Sequence, residues 1–136
     1  MVTTRDAMLF PMAGVCVIRR DGSKYHEGLS LDDFDEMHPG ATDPKERLRG
    51  MDENGIQAQV IYPNLIGFAI EAFLSNAQDP ELREFCIRAW NDYMGEVQAI
   101  GAGRLFPMAM LPFWDPDLAV REAIRAHEEL GLTGLN

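Results

Sequence analysis

The chain has 136 residues, of which 46% are hydrophobic, and a formal net charge of -10 at pH 7. This length allows one domain at most, or part of one, and the apolar content is sufficient for a packed core, which argues against a disordered chain. The excess of negative charge argues against nucleic acid and against an anionic membrane surface as partners. We therefore expect a soluble, acidic, globular chain.

The cysteines and the absence of targeting signals favour a cytoplasmic location. The sequence contains no secretory signal peptide and no apolar run long enough to span a membrane. Cys16 and Cys86 lie far apart and do not have a metal-binding spacing. Cys86 lies on the apolar side of a predicted helix, which favours a core position over a nucleophilic role.

Residues 1–42 are predicted to form a β-hairpin followed by an acidic loop region. A strand is expected at residues 12–19, a tight turn at Asp21-Gly22 and an antiparallel return at residues 23–26. The loop carries clustered carboxylates that either bind a cation or form a solvated surface. Because the cluster lacks the glycine-bearing pattern of a calcium loop, we favour the solvated surface. Its members are Asp32, Asp33, Asp35 and Glu36.

The stretch from Asp43 to Pro63 predicts a helix, a glycine turn and a buried strand. Asp43 is a suitable N-cap, Pro44 suits the first helical position, and Glu46 can complete a capping box. Gly55 supplies the left-handed residue that commonly ends a helix. A mostly apolar run then ends at Pro63, so the stretch has the pattern of an αβ unit in a parallel sheet.

Three Asp-Pro pairs, at residues 43, 79 and 115, begin predicted helices at intervals of 36 residues. We interpret this spacing as a structural period of strand, loop and capped helix, because the strand-like runs argue against a purely helical repeat. Residues 65–78 are a candidate short helix. The predicted helices are 44–54, 80–99 and 116–130, and the predicted strands are 57–62, 105–111 and a last one beginning within 132–136.

Apolar residues recur at helical spacing in the second and third of these helices, which predicts the faces that they bury. Pro107 lies inside the strand at 105–111 and removes one backbone donor from the sheet. The predicted buried face of the second helix is Leu82, Phe85, Cys86, Ala89, Trp90, Tyr93, Met94 and Val97, and that of the third is Val120, Ala123, Ile124 and His127.

Three segments resemble, in the same order, parts of the amidohydrolase-related family, which includes metal-dependent decarboxylases acting on aminocarboxymuconate semialdehyde and on hydroxybenzoates. The segments are ERLRGMDENGIQAQVIYPN, REFCIRAWNDYMGEV and GRLFPMAMLPFWDPDLAVREAIRAHEELGLTGLN, and the resemblance covers residues 38–136. It implies an α/β fold that is part of a TIM (β/α)8 barrel. On this basis residues 43–136 supply about three βα units, preceded by the β-hairpin.

The resemblance also implies a divalent metal, with zinc as the expected ion, in the complete protein. The family holds it with a His-x-His pair on the first barrel strand, a mid-barrel histidine and a late aspartate. This chain contains no His-x-His pair, and His26, His38 and His127 match none of the family's ligand positions. We therefore expect the 136-residue chain alone to bind no metal and to lack hydrolase or decarboxylase activity.

Ligands of parallel βα proteins bind at the carboxyl ends of the strands. The residues that follow two of the predicted strands make Tyr62, Asn64 and Trp114 candidate substrate-binding residues. The alternative is that the two aromatic side chains only close the end of the core.

These expectations favour a fragment of a hydrolase or non-oxidative decarboxylase that acts on a small carboxylated or cyclic substrate. Two alternatives remain open: a non-enzymatic α/β binding domain, and a subunit that completes its barrel by association. A partial barrel leaves strand edges and apolar surface uncovered, which predicts self-association.

Overall fold

The computed structural model describes residues 2–3, 8–10, 18–26, 31, 33–63 and 70–136. The chain forms two compact units, Met1–Gly55 and Ile56–Asn136. The sequence predicted a different division, between a hairpin and acidic loop region (1–42) and the βα units (43–136), and this division stays a prediction. Residues 12–17 of the first predicted strand lie outside the described part of the chain.

The predicted turn at Asp21-Gly22 is confirmed. Ile18 bridges Lys24 in antiparallel pairing, and the backbone N–H of Arg19 donates to the oxygen of Ser23 at 2.8 Å. Gly22 has a φ of +83°, a conformation that glycine adopts without steric cost. The first unit also contains an antiparallel strand pair that the sequence did not indicate, β1 (Val2–Thr3) with β2 (Met8–Phe10).

Helix α1 (Pro44–Glu53) begins as predicted, but its capping box is incomplete. The side chain of Asp43 accepts a hydrogen bond from the Lys45 N–H at 2.8 Å. The N–H of Asp43 donates to the oxygen of Pro39 rather than to Glu46, and Glu46 forms an ion pair with Arg49 at 2.6 Å. The preceding 3-10 turn therefore supplies the acceptor that the capping box would have supplied.

The second unit is a three-stranded parallel sheet with the strand order β3–β4–β5. The sheet contains two complete strand–helix–strand crossovers, where about three strand–helix units were predicted, because α1 belongs to the other unit. The predicted parallel pairing of the strands near 57–62 and 105–111 is confirmed. The elements are β3 (Gln59–Ile61), α2 (Ile70–Asn76), α3 (Pro80–Gly101), β4 (Leu105–Ala109), α4 (Pro116–Glu128) and β5 (Gly134–Leu135).

Pro107 lies at the point where the central strand changes partner. β4 pairs with β3 as far as Pro107, and its pairing with β5 begins at Met108. The backbone donor that proline lacks therefore falls at the change of partner, which explains how a central strand tolerates it.

The two long helices begin and end as the local sequence predicts. Asp79 accepts from the Glu81 N–H at 3.0 Å, and Asp115 accepts from the N–H groups of both Asp117 and Leu118 at 3.0 Å. The end of α3 has a left-handed backbone at Ala102 and at the following glycine. None of the helices in the described ranges is long and apolar enough to cross a membrane.

The predicted buried faces of these helices are partly wrong. Met94 and Val97 of α3 are buried as predicted, but Phe85 is 68% exposed. Asn91, which was not predicted to be buried, lies in the core. In α4, Val120 and Ile124 are 60% and 52% exposed. The reason is that apolar residues occupy more than one side of each helix, and the side that meets the sheet is decided by packing. The residues that α4 buries are Glu122 and Ala126.

Gly101 gives a testable packing constraint. A Cβ atom at this position would lie 2.6 Å from the Cβ of Leu105, whereas one at Gly50, within α1, would meet nothing within 4 Å. We expect Gly101→Ala to lower the free energy of unfolding by about 1–3 kcal/mol through overpacking. Gly50→Ala, the matched control, should raise it by about 0.5–1 kcal/mol. Urea unfolding measures both, and equal midpoints for the two variants would contradict this packing.

Candidate functional site at the carboxyl ends of the strands

The three parallel strands end at one edge of the sheet, where the sequence predicted a site. Tyr62 follows β3 and is 49% exposed, while the adjacent Pro63 is buried. Asn136 follows β5, and its N–H donates to the oxygen of Ala109 at the end of β4, at 2.8 Å. Asn64, the second candidate, lies outside the described residues. This edge of the sheet therefore carries a half-exposed tyrosine.

Trp114 joins the connection after β4 to the connection after β3. Its ring lies 6.2 Å from that of Phe73 in α2, with the two planes tilted by 46°. The guanidinium carbon of Arg83 lies 5.9 Å from the centroid of the same indole, within the range of a cation–π contact. The neighbouring Phe113 is 57% exposed. Trp114 is thus held in place on two sides, beside an open aromatic ring.

Arg83 lies in the first turns of α3 and also satisfies carbonyl groups at the end of α2. Its Nη2 donates to the oxygen of Leu74 at 2.8 Å, and its Nε donates to the oxygen of Ala77. Such carbonyls have no partner within their own helix. The guanidinium therefore ties α2, α3 and the Trp114 indole together. The substrate-binding role of Trp114 stays a prediction, and the ring also has the packing contacts that the alternative role requires.

The residue that follows β4 is held by a side chain rather than by another strand. Asn91 of α3 is fully buried, and its Oδ1 accepts from the Met110 N–H at 2.8 Å. Its Nδ2 donates to the Met110 oxygen at 2.9 Å and to Oε1 of Glu122 at 2.7 Å. One amide thus satisfies both backbone groups of a residue that has left the sheet.

Glu122 belongs to a buried ion pair that extends this network onto α4. Arg125 donates to both carboxylate oxygens of Glu122, at 2.7 and 2.8 Å, and to Oδ1 of Asp92 at 2.6 Å. Burial would raise the pKa of Glu122. The hydrogen bonds from Arg125 and Asn91, with the positive charges of Arg125 and Arg88, outweigh burial and hold that pKa below its usual value.

A cleft of about 300 Å³ opens between α3 and α4 beside this network. Its apolar lining comes from Ile87, Pro112 and Leu118. Its charged lining consists of three glutamates and three arginines, so the cleft has no net charge that would select an ion. These residues are Glu84, Glu122, Glu129, Arg88, Arg121 and Arg125.

The histidines lie in separate local settings. Nδ1 of His38 accepts from the Gly40 N–H at 3.1 Å, and Nδ1 of His127 lies 3.2 Å from the oxygen of Leu132. His26 is exposed. Within the described ranges, no three or more His, Cys, Asp or Glu side chains form a group that could hold a metal ion. The predicted lack of metal binding by this chain alone stays a prediction.

The remaining candidates from the sequence have ordinary structural environments where they are described. Cys86 is half-buried, and burial raises its pKa, which favours the weakly nucleophilic thiol. Asp33, Asp35 and Glu36 are exposed, as the solvated-surface interpretation predicted. Asp32 and Cys16 lie outside the described residues.

The sequence analysis missed the buried network, although part of its signal is visible. Asn91 lies four residues after Ile87 and three before Met94, at the spacing of the buried face of α3. A polar residue on such a face indicates a buried hydrogen bond. Glu122 and Arg125 have the i, i+3 spacing of ordinary surface pairs, so the sequence contains nothing that marks them as buried.

These elements define an α/β protein in which neighbouring parallel strands are joined by helices and end at the same edge of the sheet. Among curated proteins, the gamma-resorcylate decarboxylase of a Polaromonas species is 33% identical to the chain over 103 residues. The alignment covers 75% of this chain and 30% of the length of that enzyme. This similarity agrees with the resemblance to amidohydrolase-related decarboxylases. No family model matches the chain, and no solved structure matches it.

The lowered pKa of Glu122 predicts a pH-dependent contribution to stability. The ionised carboxylate stabilises the folded chain above the ordinary glutamate pKa of about 4.3, and this contribution is lost as the pH falls through the lower folded value. We expect Glu122→Gln to lower the free energy of unfolding by about 2 kcal/mol at pH 7, and by much less near pH 3.

Urea unfolding from pH 7 to pH 3 tests this expectation. The control is Glu96→Gln, the same change at an exposed position of α3, and it should have a small effect throughout. A Glu122→Gln effect that is equal at both ends of the pH range would contradict the assigned ion pair.

Proposed function

We propose that this chain is part of an amidohydrolase-like (β/α)8 barrel, and that the complete protein is a metal-dependent, non-oxidative decarboxylase of a small aromatic carboxylate. The observation that supports this best is the parallel sheet, in which strands that are consecutive in the chain are neighbours and a helix lies in each connection. The 33% identity to gamma-resorcylate decarboxylase supports the choice of reaction and of substrate class.

The strand order supports a barrel segment. A (β/α)8 barrel places each strand beside the next strand in the chain, and its active site lies at the carboxyl ends of the strands. The order β3–β4–β5 agrees with this arrangement. A doubly wound sheet of three strands can have the same order, so the family resemblance is needed to favour the barrel.

The exposed side of α4 supports the same proposal. Glu122 and Arg125 line the cleft towards α3, while Val120 and Ile124 are exposed on another side of the helix. In a barrel, the helix of the following βα unit packs beside α4. We infer that such a unit, carried by a longer chain or by a second copy, covers Val120 and Ile124.

The proposed substrate site lies at the edge of the sheet where β3, β4 and β5 end, which we call the strand-end edge. In non-oxidative decarboxylation, the bond between the carboxylate and its ring carbon breaks, carbon dioxide leaves, and the electron pair left on that carbon takes up a proton. We assign Tyr62 and Asn64 to orient the polar groups of the substrate, and Trp114 to contact its ring. Tyr62 is 49% exposed, which is compatible with contact between its side chain and a substrate.

The metal, expected to be zinc, requires ligands that the described residues do not assemble. His38 and His127 each make a local contact with backbone, and His26 lies in the hairpin. We therefore assign the metal ligands to other parts of the complete protein and derive no catalytic step through the metal here. The alternative, a non-enzymatic binding domain, has no better support from the comparisons than the decarboxylase proposal has.

The test of the enzyme proposal is to sequence the genomic DNA on both sides of the coding segment and to express the continuous reading frame. We expect release of carbon dioxide from gamma-resorcylate. Tyr62→Phe and Trp114→Phe should lower kcat/KM by about tenfold, equivalent to a loss of about 1.4 kcal/mol of transition-state stabilisation.

Tyr93→Phe is the matched control, because Tyr93 is an exposed tyrosine on α3, and it should leave kcat/KM unchanged. Stop codons on both sides of the segment would remove the enzyme proposal. Equal activities of the Tyr62 and Tyr93 variants would remove the site assignment alone.

Self-association of the 136-residue chain is a separate prediction. Because Val120 and Ile124 form an exposed apolar surface on α4, we expect the mass measured by light scattering to rise with concentration. Ile124→Gln should shift the chain towards monomer, whereas Glu128→Gln, at another exposed position of the same helix, should not. A concentration-independent monomer with cooperative thermal unfolding would show instead that the chain is self-sufficient.

A further inference from the structure

We propose that Asn91 is a positioning residue, which fixes the backbone of Met110 and thereby sets the place of Trp114 at the strand-end edge. In this role Glu122 holds the Asn91 amide in its correct orientation. The inference deepens the proposed function, on which it rests for the identification of that edge as the substrate site.

The first step is that Asn91 takes the place of a neighbouring strand. Regular pairing of β4 ends at Ala109, and the next residue, Met110, is buried, with 2% of its surface exposed. Asn91 accepts from the Met110 N–H and donates to its oxygen. Buried backbone groups without partners cost free energy comparable to a lost hydrogen bond, so the chain leaves the sheet where Asn91 directs it.

The second step concerns the orientation of the amide. Glu122 is a carboxylate and can only accept hydrogen bonds, so the group that faces it must be the Asn91 NH2. The distance between Nδ2 and Oε1 is 2.7 Å. Rotating the amide by half a turn would place its oxygen against Glu122 and its NH2 against the Met110 N–H. Arg125 keeps Glu122 ionised and thereby keeps the amide in the productive orientation.

The third step is that local hydrogen bonds restrict the backbone between Met110 and Trp114. The N–H of Phe113 donates to Leu111 at 3.0 Å, and the N–H of Asp115 donates to Pro112 at 3.0 Å. Asp115 then caps α4, the helix that carries Glu122. Asn91 therefore holds both ends of this short connection, one directly and the other through Glu122. A shift at either end must displace the indole.

The experiment isolates each tryptophan in turn, since the chain contains only Trp90 and Trp114. In a Trp90→Phe background, the accessibility of Trp114 is measured by acrylamide quenching and by its emission maximum. In a Trp114→Phe background, Trp90 reports on the packing of α3, because its indole N–H lies 3.4 Å from the Met108 oxygen.

The first test variant is Asn91→Asp, which removes both donors and places a second carboxylate against Glu122. At pH 7 we expect the quenching constant of Trp114 to rise at least twofold while that of Trp90 is unchanged. Two adjacent carboxylates raise each other's tendency to bind a proton. As the pH is lowered, the pair takes up a proton that restores a donor, and the Trp114 signal should return towards that of its parent. The charged groups around this pair are Arg125, Asp92 and Arg88.

Two further variants keep the result decisive. Asn54→Asp makes the same chemical change at an exposed position and should alter neither tryptophan. Asn91→Ala removes the hydrogen bonds to Met110 without adding charge, so it should raise the quenching of Trp114 at every pH. It replaces Asn91→Asp if that variant does not fold.

The proposal is overturned if a folded Asn91 variant leaves Trp114 unchanged. It is also overturned if Trp90 and Trp114 change together, which would make the hydrogen bonds a general packing feature of α3. Neither readout requires decarboxylase activity, so failure of the positioning role is distinguishable from failure of the proposed function.

Discussion

The second unit depends on the hydrogen bonds between Asn91 and Met110. They connect the longest helix to the point where the central strand leaves the sheet, and the same amide reaches Glu122 on the last helix. A buried polar group is stabilising only when all of its partners are in place. The positions of α3, the end of β4 and α4 therefore depend on one another. The edge of the sheet where β4 ends is fixed by the same hydrogen bonds.

The network also explains why apolar residues of α4 remain exposed. Glu122 and Arg125 need low exposure to interact strongly, and they occupy the side of α4 that faces the cleft and α3. Val120 and Ile124 must then lie on a different side of the same helix, where the second unit does not cover them. A surface of this kind is typical of an element that has neighbours in a larger assembly.

Sequence reasoning predicted well what is decided within a few residues. The aspartate caps, the turn at Gly22 and the left-handed end of α1 at Gly55 depend on local backbone geometry, and the structure has all of them. It predicted less well what is decided by distant contacts. The buried side of each helix depends on packing against other elements, and the hydrogen bonds of Asn91 join it to residues 19 and 31 positions away.

The candidate site divides in the same way. Tyr62 and Trp114 could be proposed from the sequence because strand ends can be located from local patterns, and parallel strands bring their ends to one edge. Arg83 was missed because its contacts with Trp114 and with the carbonyls of α2 exist only after the chain has folded. The contacts of Arg83 hold the Trp114 side of the proposed substrate site in place, whereas catalysis would require reactive groups that converge on that site.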